Sequence, residues 1–437
     1  MIARILACSA ALATSLTSFS LHAGKPAEQS PFIVGVASHE LHIGKHDGRS
    51  SQLVRAAGVT SIRTDAHWAF IERQRNRLLV EPHWHTYLAE TEHNRLASMF
   101  ILGYGNSNHG GGQKPRSEPL RKAFNRYVGF VAKAFAGRIA HYEIWNEWDM
   151  EAPADPVLNQ DYLRLVTDAA GIIRQQDPHA RVLAGSVTTK GIESGFARRL
   201  VEGGVMNSVD GLSLHPYVHC RSGSRNTPEA WIEWLAEVDL ELSRSAGKPV
   251  PLYLTEMAWP AHKGSCGVDE VTQAAYLARS FFLARTLPNI RGMWWYNFRN
   301  DGTDPKEREH NFGLVRQDLT KKPAYEVLTA ISPVVGGYEF LGRVETNAAE
   351  LILLRFAGVN DEVLVGWSKG NPRSLRVRSS GPIAGPLRLI DTEQPTLGRH
   401  DNDRNWQCPP GGNSCSVEVE LGRFPKIISV RATSTGL

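Results

Sequence analysis

Eight times between residues 31 and 333, a short apolar run gives way to a longer amphipathic one. The short runs are IVGVA (33–37), SIRTD (61–65), MFILGYG (99–105), HYEIWN (141–146), RVLAGS (181–186), DGLSLHPY (210–217), PLYLTE (251–256) and GMWWYNF (292–298). Helix-period stretches lie between them, among them 122–137, 161–176, 229–247 and 272–287, with 322–332 supplying the eighth helix. A helix after each strand carries the chain back to the starting edge, so the strands run parallel. Eight such units in series predict a closed (β/α)8 barrel, with an open doubly wound sheet as the remaining α/β alternative. Asp161 reads as the start of one helix, and Gly247 before Pro249 as the end of another.

Beyond Pro333 the rhythm changes to period two. LILLRFAG, DEVLVGWS, SLRVRSS, LRLIDT, SVEVEL and KIISVRA are separated by Gly, Asn and Pro. The expected organisation is therefore α/β: a barrel over 31–335 followed by a smaller C-terminal antiparallel β-sandwich over 336–437. Hydrophobic residues make up 42% of the chain and charged residues 22%, which is globular and excludes wholesale disorder. The net charge of +4 is too weak a bias for a nucleic-acid partner.

Residues 1–23 carry Arg4, an Ala/Leu-rich stretch and Leu21-His22-Ala23, the pattern of a secretory signal peptide. Thr14 to Ser20 are too polar for a comfortable membrane span, and no later segment is apolar enough for one. The chain is expected to be exported, to periplasm or medium. Removal of the leader takes Cys8 and leaves Cys220, Cys266, Cys408 and Cys415, an even number that favours disulfides. Three connectivities are open; the shortest closed loop is Cys408–Cys415, which leaves Cys220 to Cys266. No Cys-x-x-Cys spacing supports the rival zinc site.

In a barrel of this kind, chemistry gathers where strands end at the carboxyl rim. Glu147 closes the fourth run and Glu256 the seventh. A carboxylate at the end of an apolar strand is costly to desolvate unless its surroundings use it. Two of them, flanked by Trp145, Asn146 and Trp259, point beyond a pair of rim salt bridges. Such a pair serves the cleavage of a glycosidic bond, where one carboxyl protonates the leaving oxygen and another approaches the anomeric carbon from the opposite face.

Asn146-Glu147 with Glu256 resembles the clan of retaining glycoside hydrolases with eight-stranded barrels. The ordered set Arg63-Thr64-Asp65-Ala66-His67-Trp68, Trp145-Asn146-Glu147, His215-Pro216-Tyr217, Thr255-Glu256 and Asn311-Phe312-Gly313-Leu314 is similar to glycoside hydrolase family 39. Within that family, the bacterial exopolysaccharide-cleaving enzymes of the PslG kind look most alike. The resemblance implies a barrel followed by a β-sandwich, a polysaccharide or oligosaccharide substrate, no cofactor and no metal. It makes Glu147 the general acid, then base, and Glu256 the nucleophile of a covalent glycosyl-enzyme. A retaining pair should stand ~5–5.5 Å apart, an inverting pair ~6.5–9.5 Å. The acid must be protonated near neutral pH. Trp148 follows the acid where many relatives carry Pro, which bears on the leaving-group side of the groove.

The resemblance also implies supporting roles. Asn146 donates to the hydroxyl beside the reacting carbon. Tyr217 holds Glu256, and His215 bonds sugar or acid, unless it is a satisfied rim histidine. Arg63 keeps Glu256 ionised or pairs structurally with Glu143. Aromatic rings match the apolar faces of sugars, and Trp295 is the expected platform, with Trp68 and Trp259 behind it. Trp294 and Trp295 must point to opposite sides of their strand, so one of them is core.

Other signals carry less. His39-Glu40-Leu41-His42 lacks zinc-protease spacing, and His83, His85 and His93 have no ligand geometry. The glycine-rich stretch 103–112 lacks the Lys-Ser/Thr of a phosphate loop and reads as a mobile rim loop. Gly-x-Ser-x-Gly is absent, which weakens an esterase reading. The remaining alternative is a non-catalytic carbohydrate-binding protein on the same scaffold, with Trp148 its one support.

Overall fold

A computed structural model describes residues 31–43, 48–378, 389–394, 407 and 415–431. The expected leader 1–23 and Cys408 lie outside the described residues. The eight apolar runs form parallel strands: β1 (Ile33–Ala37), β2 (Ser61–His67), β3 (Ala97–Gly103), β4 (Ile139–Ile144), β5 (Arg181–Thr188), β6 (Gly211–His215), β7 (Leu252–Met257) and β8 (Ile290–Trp295). Each pairs with the next, and β8 returns to β1, so the sheet closes. The alternative of an open doubly wound sheet falls on that last pairing.

Closure gives every strand an inner and an outer face, and the alternation decides which side chain goes where. Met99, Leu183, Tyr253 and Trp294, with Ile33 packed against them, fill the lower interior. Their bulk is accommodated by missing side chains elsewhere. A Cβ on Gly35 would stand 2.3 Å from the Trp294 ring, and one on Gly211 2.4 Å from Tyr253. Outward-facing residues such as Val34, Phe100, Tyr142, Val182, Leu212, Leu254 and Trp295 join the larger core beneath the helices.

The helices differ from expectation at their ends. Helix Pro156–Gln176 is capped by Asp155, whose side chain accepts from Val157 N, and not by Asp161. Asp161 lies buried inside that helix, where Arg116 and Arg164 pair with it. Gly247 does end helix Pro228–Ala246, at φ 66°, a left-handed conformation that suits glycine. Helix Pro323–Gly337 runs through Pro333 instead of stopping there.

Seven antiparallel strands follow: β9 (Glu339–Arg343), β10 (Leu351–Ala357), β11 (Glu362–Ser368), β12 (Arg373–Arg378), β13 (Leu389–Asp391), β14 (Ser416–Leu421) and β15 (Lys426–Arg431). Five make one sheet in the order β13-β15-β11-β10-β9, and β12 pairs with β14. Leu353, Leu364, Val377, Val417, Val419 and Ile428 form the core between these two layers. The other face of the large sheet belongs to the barrel's core, through Ile352, Leu354, Phe356, Val363, Val365 and Trp367. Trp367 donates its indole N–H to Glu229 Oε1 at 2.8 Å on helix Pro228–Ala246, and Phe356 meets Phe282 on helix Glu270–Ala284. Both faces of β11 are thus covered, and all seven of its residues are buried. β9 escaped the sequence reading because EFLGR is short and half-exposed.

Cys220 and Cys266 form a disulfide that ties the loop after β6 to the loop after β7. Cys415 is also disulfide-bonded. Among the described residues no helix is long and apolar enough to cross a membrane.

Candidate active site

The inward face of β2 points Arg63 up the barrel axis, where burial forces its charge to be answered. The guanidinium is 2% exposed and donates to three partners: Nε to Glu143 Oε2 (2.7 Å), Nη1 to Glu256 Oε1 (2.6 Å) and Nη2 to Asn146 Oδ1 (2.9 Å). Both expected roles of Arg63 therefore coexist. Being buried, it organises the groups around it and does not face solvent.

Glu256 sits at the top of β7, where the ladder to β8 is irregular between Leu254 and Met257. That irregularity lets neighbours Thr255 and Glu256 both reach the interior. Tyr217 donates its hydroxyl to Glu256 Oε2 at 2.9 Å. Burial works to raise the Glu256 pKa, but the charges of His215 and Arg63 and the hydrogen bonds of Arg63 and Tyr217 outweigh it. The carboxyl is held below the ordinary glutamate range. That is the state a nucleophile needs.

Glu147 lies three residues past the end of β4, in a short irregular segment. Trp145 and Glu147 both take left-handed backbone conformations, at φ 65° and 49°. Non-glycine residues in that region cost of order 1–3 kcal/mol each and gather at functional sites. The turn is secured by Trp145 N to Leu102 O (2.8 Å) and Met150 N to Glu147 O (3.2 Å). It aims Asn146 at Arg63 and Glu147 at His215.

His215 is fully buried and bridges the acids: Nδ1 is 3.0 Å from Glu147 Oε1 and 3.5 Å from Glu256 Oε2, while Nε2 is 3.1 Å from Thr255 Oγ1. Burial lowers its pKa, but the Glu256 charge and the Glu147 hydrogen bond prevail and raise it. It meets acid, not sugar. One donor atom from each of Glu147, His215 and Glu256 lies within 4.8 Å of the others. Side chains of Glu147 and Glu256 remain 15% and 12% exposed, so the pair is reachable.

Among the described residues this trio is the one cluster whose donors are close enough to hold an ion. The guanidinium of Arg63, 2.6 Å from Glu256, already puts a positive charge beside the same carboxylate. That disfavours a second cation there.

The three expected tryptophan platforms are corrected. Trp68, Trp259 and Trp295 are at most 1% exposed. Their indole N–H groups are spent on Glu72 Oε2, Asn226 Oδ1 and Phe312 O. For Trp295 the reason is register: Trp294 took the inner face, which sends Trp295 outward into the helix layer. Two positions beyond Trp294 the inward direction recurs at Tyr296, which is half-buried and close enough to Glu256 to feel its charge. Tyr296 packs edge-on against His39 (5.5 Å), Tyr217 (6.3 Å) and Phe312 (5.3 Å). Counting by two from an inward tryptophan could have found it. On the same rim, His39 Nδ1 meets Asp301 Oδ1 at 3.1 Å, and His67 stacks on Tyr104 at 4.8 Å. Tyr296 and Asp301 were not singled out from the sequence; His39 was weighed there only against a metal site, and His67 only within the family 39 set.

Trp148 is also fully buried, packed on Trp145 and Tyr162 with its N–H on Leu158 O at 3.0 Å. It lines no groove. The glycine-rich stretch is tied down, since Asn106 and Asn108 donate to Glu72 O and His109 Nε2 lies 2.8 Å from Glu72 Oε1. His83 and His85 go to Glu81 and Arg138.

No protein-family model and no curated protein matches this sequence. Solved structures do match in fold. A family 39 glycoside hydrolase from the gut symbiont Bacteroides cellulosilyticus WH2 superposes with a TM-score of 0.75 at 24% identity, over 92% of this chain and 81% of that one. A family 39 enzyme from Xanthomonas axonopodis pv. citri gives 0.64 at 14%, over 92% and 95%. A monomeric β-xylosidase from Caulobacter crescentus CB15 gives 0.64 at 14%, over 92% and 97%. At these identities the likeness is one of fold.

Proposed function

We propose that the chain is an exported retaining β-glycoside hydrolase acting on a polysaccharide or oligosaccharide. The observation that carries this is the reachable Glu147–His215–Glu256 cluster, whose donor atoms stand within 4.8 Å. That close approach favours direct attack by one carboxylate over the wider ~6.5–9.5 Å spacing of an inverting pair. The fold shared with family 39 glycoside hydrolases and a β-xylosidase supports the same reading.

In this mechanism Glu147 gives its proton to the departing glycosidic oxygen while Glu256, kept ionised by Arg63 and His215, bonds to the anomeric carbon. Glu147, now a carboxylate, then takes a proton from the water that releases the sugar. Tyr217 positions the nucleophile through its 2.9 Å hydrogen bond. Asn146 Oδ1 is held by Arg63, which turns Nδ2 towards a sugar hydroxyl. Tyr296 offers the aromatic surface. The two carboxyls supply the proton and the nucleophile, so the reaction needs no cofactor.

Export is supported by the Cys220–Cys266 disulfide together with the leader-like 1–23 segment. The barrel is assigned to 31–335 and the sandwich to 336–437. The binding-only alternative loses its support with the burial of Trp148. The test is a product-analysed screen of bacterial exopolysaccharides and plant hemicelluloses, followed by Glu256→Ala with azide. Retention of anomeric configuration and azide rescue as the opposite anomer are expected. Rescue with inverted product in Glu147→Ala instead would reverse the roles, and no product from any glycan would refute the activity.

A further inference from the structure

The reactive pair is flanked by a row of rings that the glycosidase mechanism leaves idle. It begins at Tyr104, where β3 gives way to its loop. The Tyr104 ring lies 6.3 Å from Trp145, in the segment that carries Glu147. Its hydroxyl donates to Asp65 and stands close enough to Arg63 and Glu256 to feel both charges. His67, at the end of β2, stacks on Tyr104 at 4.8 Å and 27°, and Phe70 follows at 5.0 Å from His67. Exposure rises along the row: Tyr104 and His67 are half-buried, whereas Phe70 is 36% exposed. A single exposed phenylalanine is ordinary. This one ends a continuous aromatic surface that starts beside the reactive carboxyls.

The two segments that carry these rings are braced against each other by a buried charge. Glu72, which follows helix Trp68–Ile71, is 2% exposed. Its carboxylate accepts from Trp68 Nε1 (2.7 Å) and Asn76 N (2.5 Å) and meets His109 Nε2 at 2.8 Å, while its carbonyl accepts from Asn106 and Asn108. Within the loop after β3, a Cβ on Gly105 would collide with Gly112 O, so its two ends are closely folded together. That loop is thereby pinned to the helix after β2. A buried carboxylate needs such hydrogen bonds to offset its desolvation, and the network it forms rigidifies what it joins. Flat rings match the apolar faces of sugars, and a surface already rigid loses little entropy when a ligand settles on it.

We propose that the Tyr104–His67–Phe70 row is an accessory glycan subsite, with Phe70 its outer stacking platform, so that the cleft grips a chain of several sugar units away from the bond it cleaves. This subsite rests on the glycosidase reading and deepens it: the substrate is a polymer or a long oligosaccharide, not a disaccharide. Binding tests it without turnover. Full-length protein carrying Glu147→Gln, which keeps the ligand intact, is titrated calorimetrically with the disaccharides and hexasaccharides of β-1,4-xylan, cellulose, β-1,4-mannan and β-1,3-glucan. At least one hexasaccharide binds about tenfold or more tighter than its disaccharide.

Adding Phe70→Ala or Phe70→Leu removes most of that advantage, whereas Phe70→Trp, which restores a flat ring, keeps it. The leucine variant separates stacking from apolar contact alone, and because Phe70 is exposed all three variants keep the parental melting curve. Equal binding of disaccharide and hexasaccharide in every series, or an advantage that survives Phe70→Ala or Phe70→Leu, overturns the subsite. Failure of the protein with Glu147 intact to hydrolyse any glycoside would instead refute the catalytic reading and leave the binding result standing.

Discussion

Removing the Arg63 charge should move the acidic limb of the pH–activity profile to higher pH. The guanidinium touches Glu256 Oε1 at 2.6 Å, which places the charge centres about 4 Å apart. At an effective dielectric of about 20 the attraction is about 4 kcal/mol, or about 3 pK units, the upper end of the one to three units seen for such pairs. Arg63→Met alone would strand Glu143, which is fully buried and bonded to the same guanidinium. A buried carboxylate without its partner costs several kcal/mol, so Glu143→Gln is added. His215 offsets part of the loss: the Arg63 charge lowers its pKa, so His215 holds its own proton more firmly once Arg63 is gone.

The net expectation for the double variant is an upward shift of one to three pH units in the acidic limb of kcat/KM, which reports the free enzyme. The direction is fixed by chemistry. As the proposed nucleophile Glu256 works as a carboxylate, so activity fails as pH falls through its pKa, and a higher pKa makes it fail sooner. The profile is measured on the best substrate from the glycan screen. An acidic limb that stays in place, or moves down, in a variant with native thermal unfolding would refute the claim that Arg63 holds Glu256 ionised.

Other expectations follow from single contacts. Glu256→Ala should lose nearly all turnover and regain part of it with azide, read by the anomer released. Tyr217→Phe deletes one hydrogen bond to Glu256 Oε2, so the acidic limb should rise by under one unit while the fold is kept, as a pH profile with a melting curve would show. Trp295→Ala should cost about 3–5 kcal/mol in denaturant titration, whereas Tyr296→Ala should lower kcat/KM with far less loss of stability. Cys220→Ser with Cys266→Ser opens a crosslink across a separation of 46 residues. The chain-entropy model puts the loss near 4 kcal/mol, measurable as a lowered unfolding midpoint.

The barrel and both acids were legible because their signals are local. Strand-helix alternation repeats along the chain, and Glu147 and Glu256 each follow an apolar run. What could not be read was face. A one-residue change in register moves every inward side chain outward, and nothing in GMWWYNF says which tryptophan faces in. The bulk of Trp294 fits because Gly35 stands opposite it, a contact across more than 250 residues. Arg63 illustrates the other limit. Its two possible partners were both named, yet only a closed barrel brings β2, β4 and β7 to one point, where a single guanidinium serves them together. Trp148 shows a third: the sequence suggested a change in the groove, but the turn at Glu147 directs it into the core.

The large antiparallel sheet leans on helices Pro228–Ala246 and Glu270–Ala284, which follow the strands bearing His215 and Glu256. Trp367, Phe356 and their neighbours complete an interior begun by the barrel. The two parts must therefore be inherited, truncated or transplanted together, because a cut after Gly337 would uncover the oily backs of the very segments that carry the reactive groups.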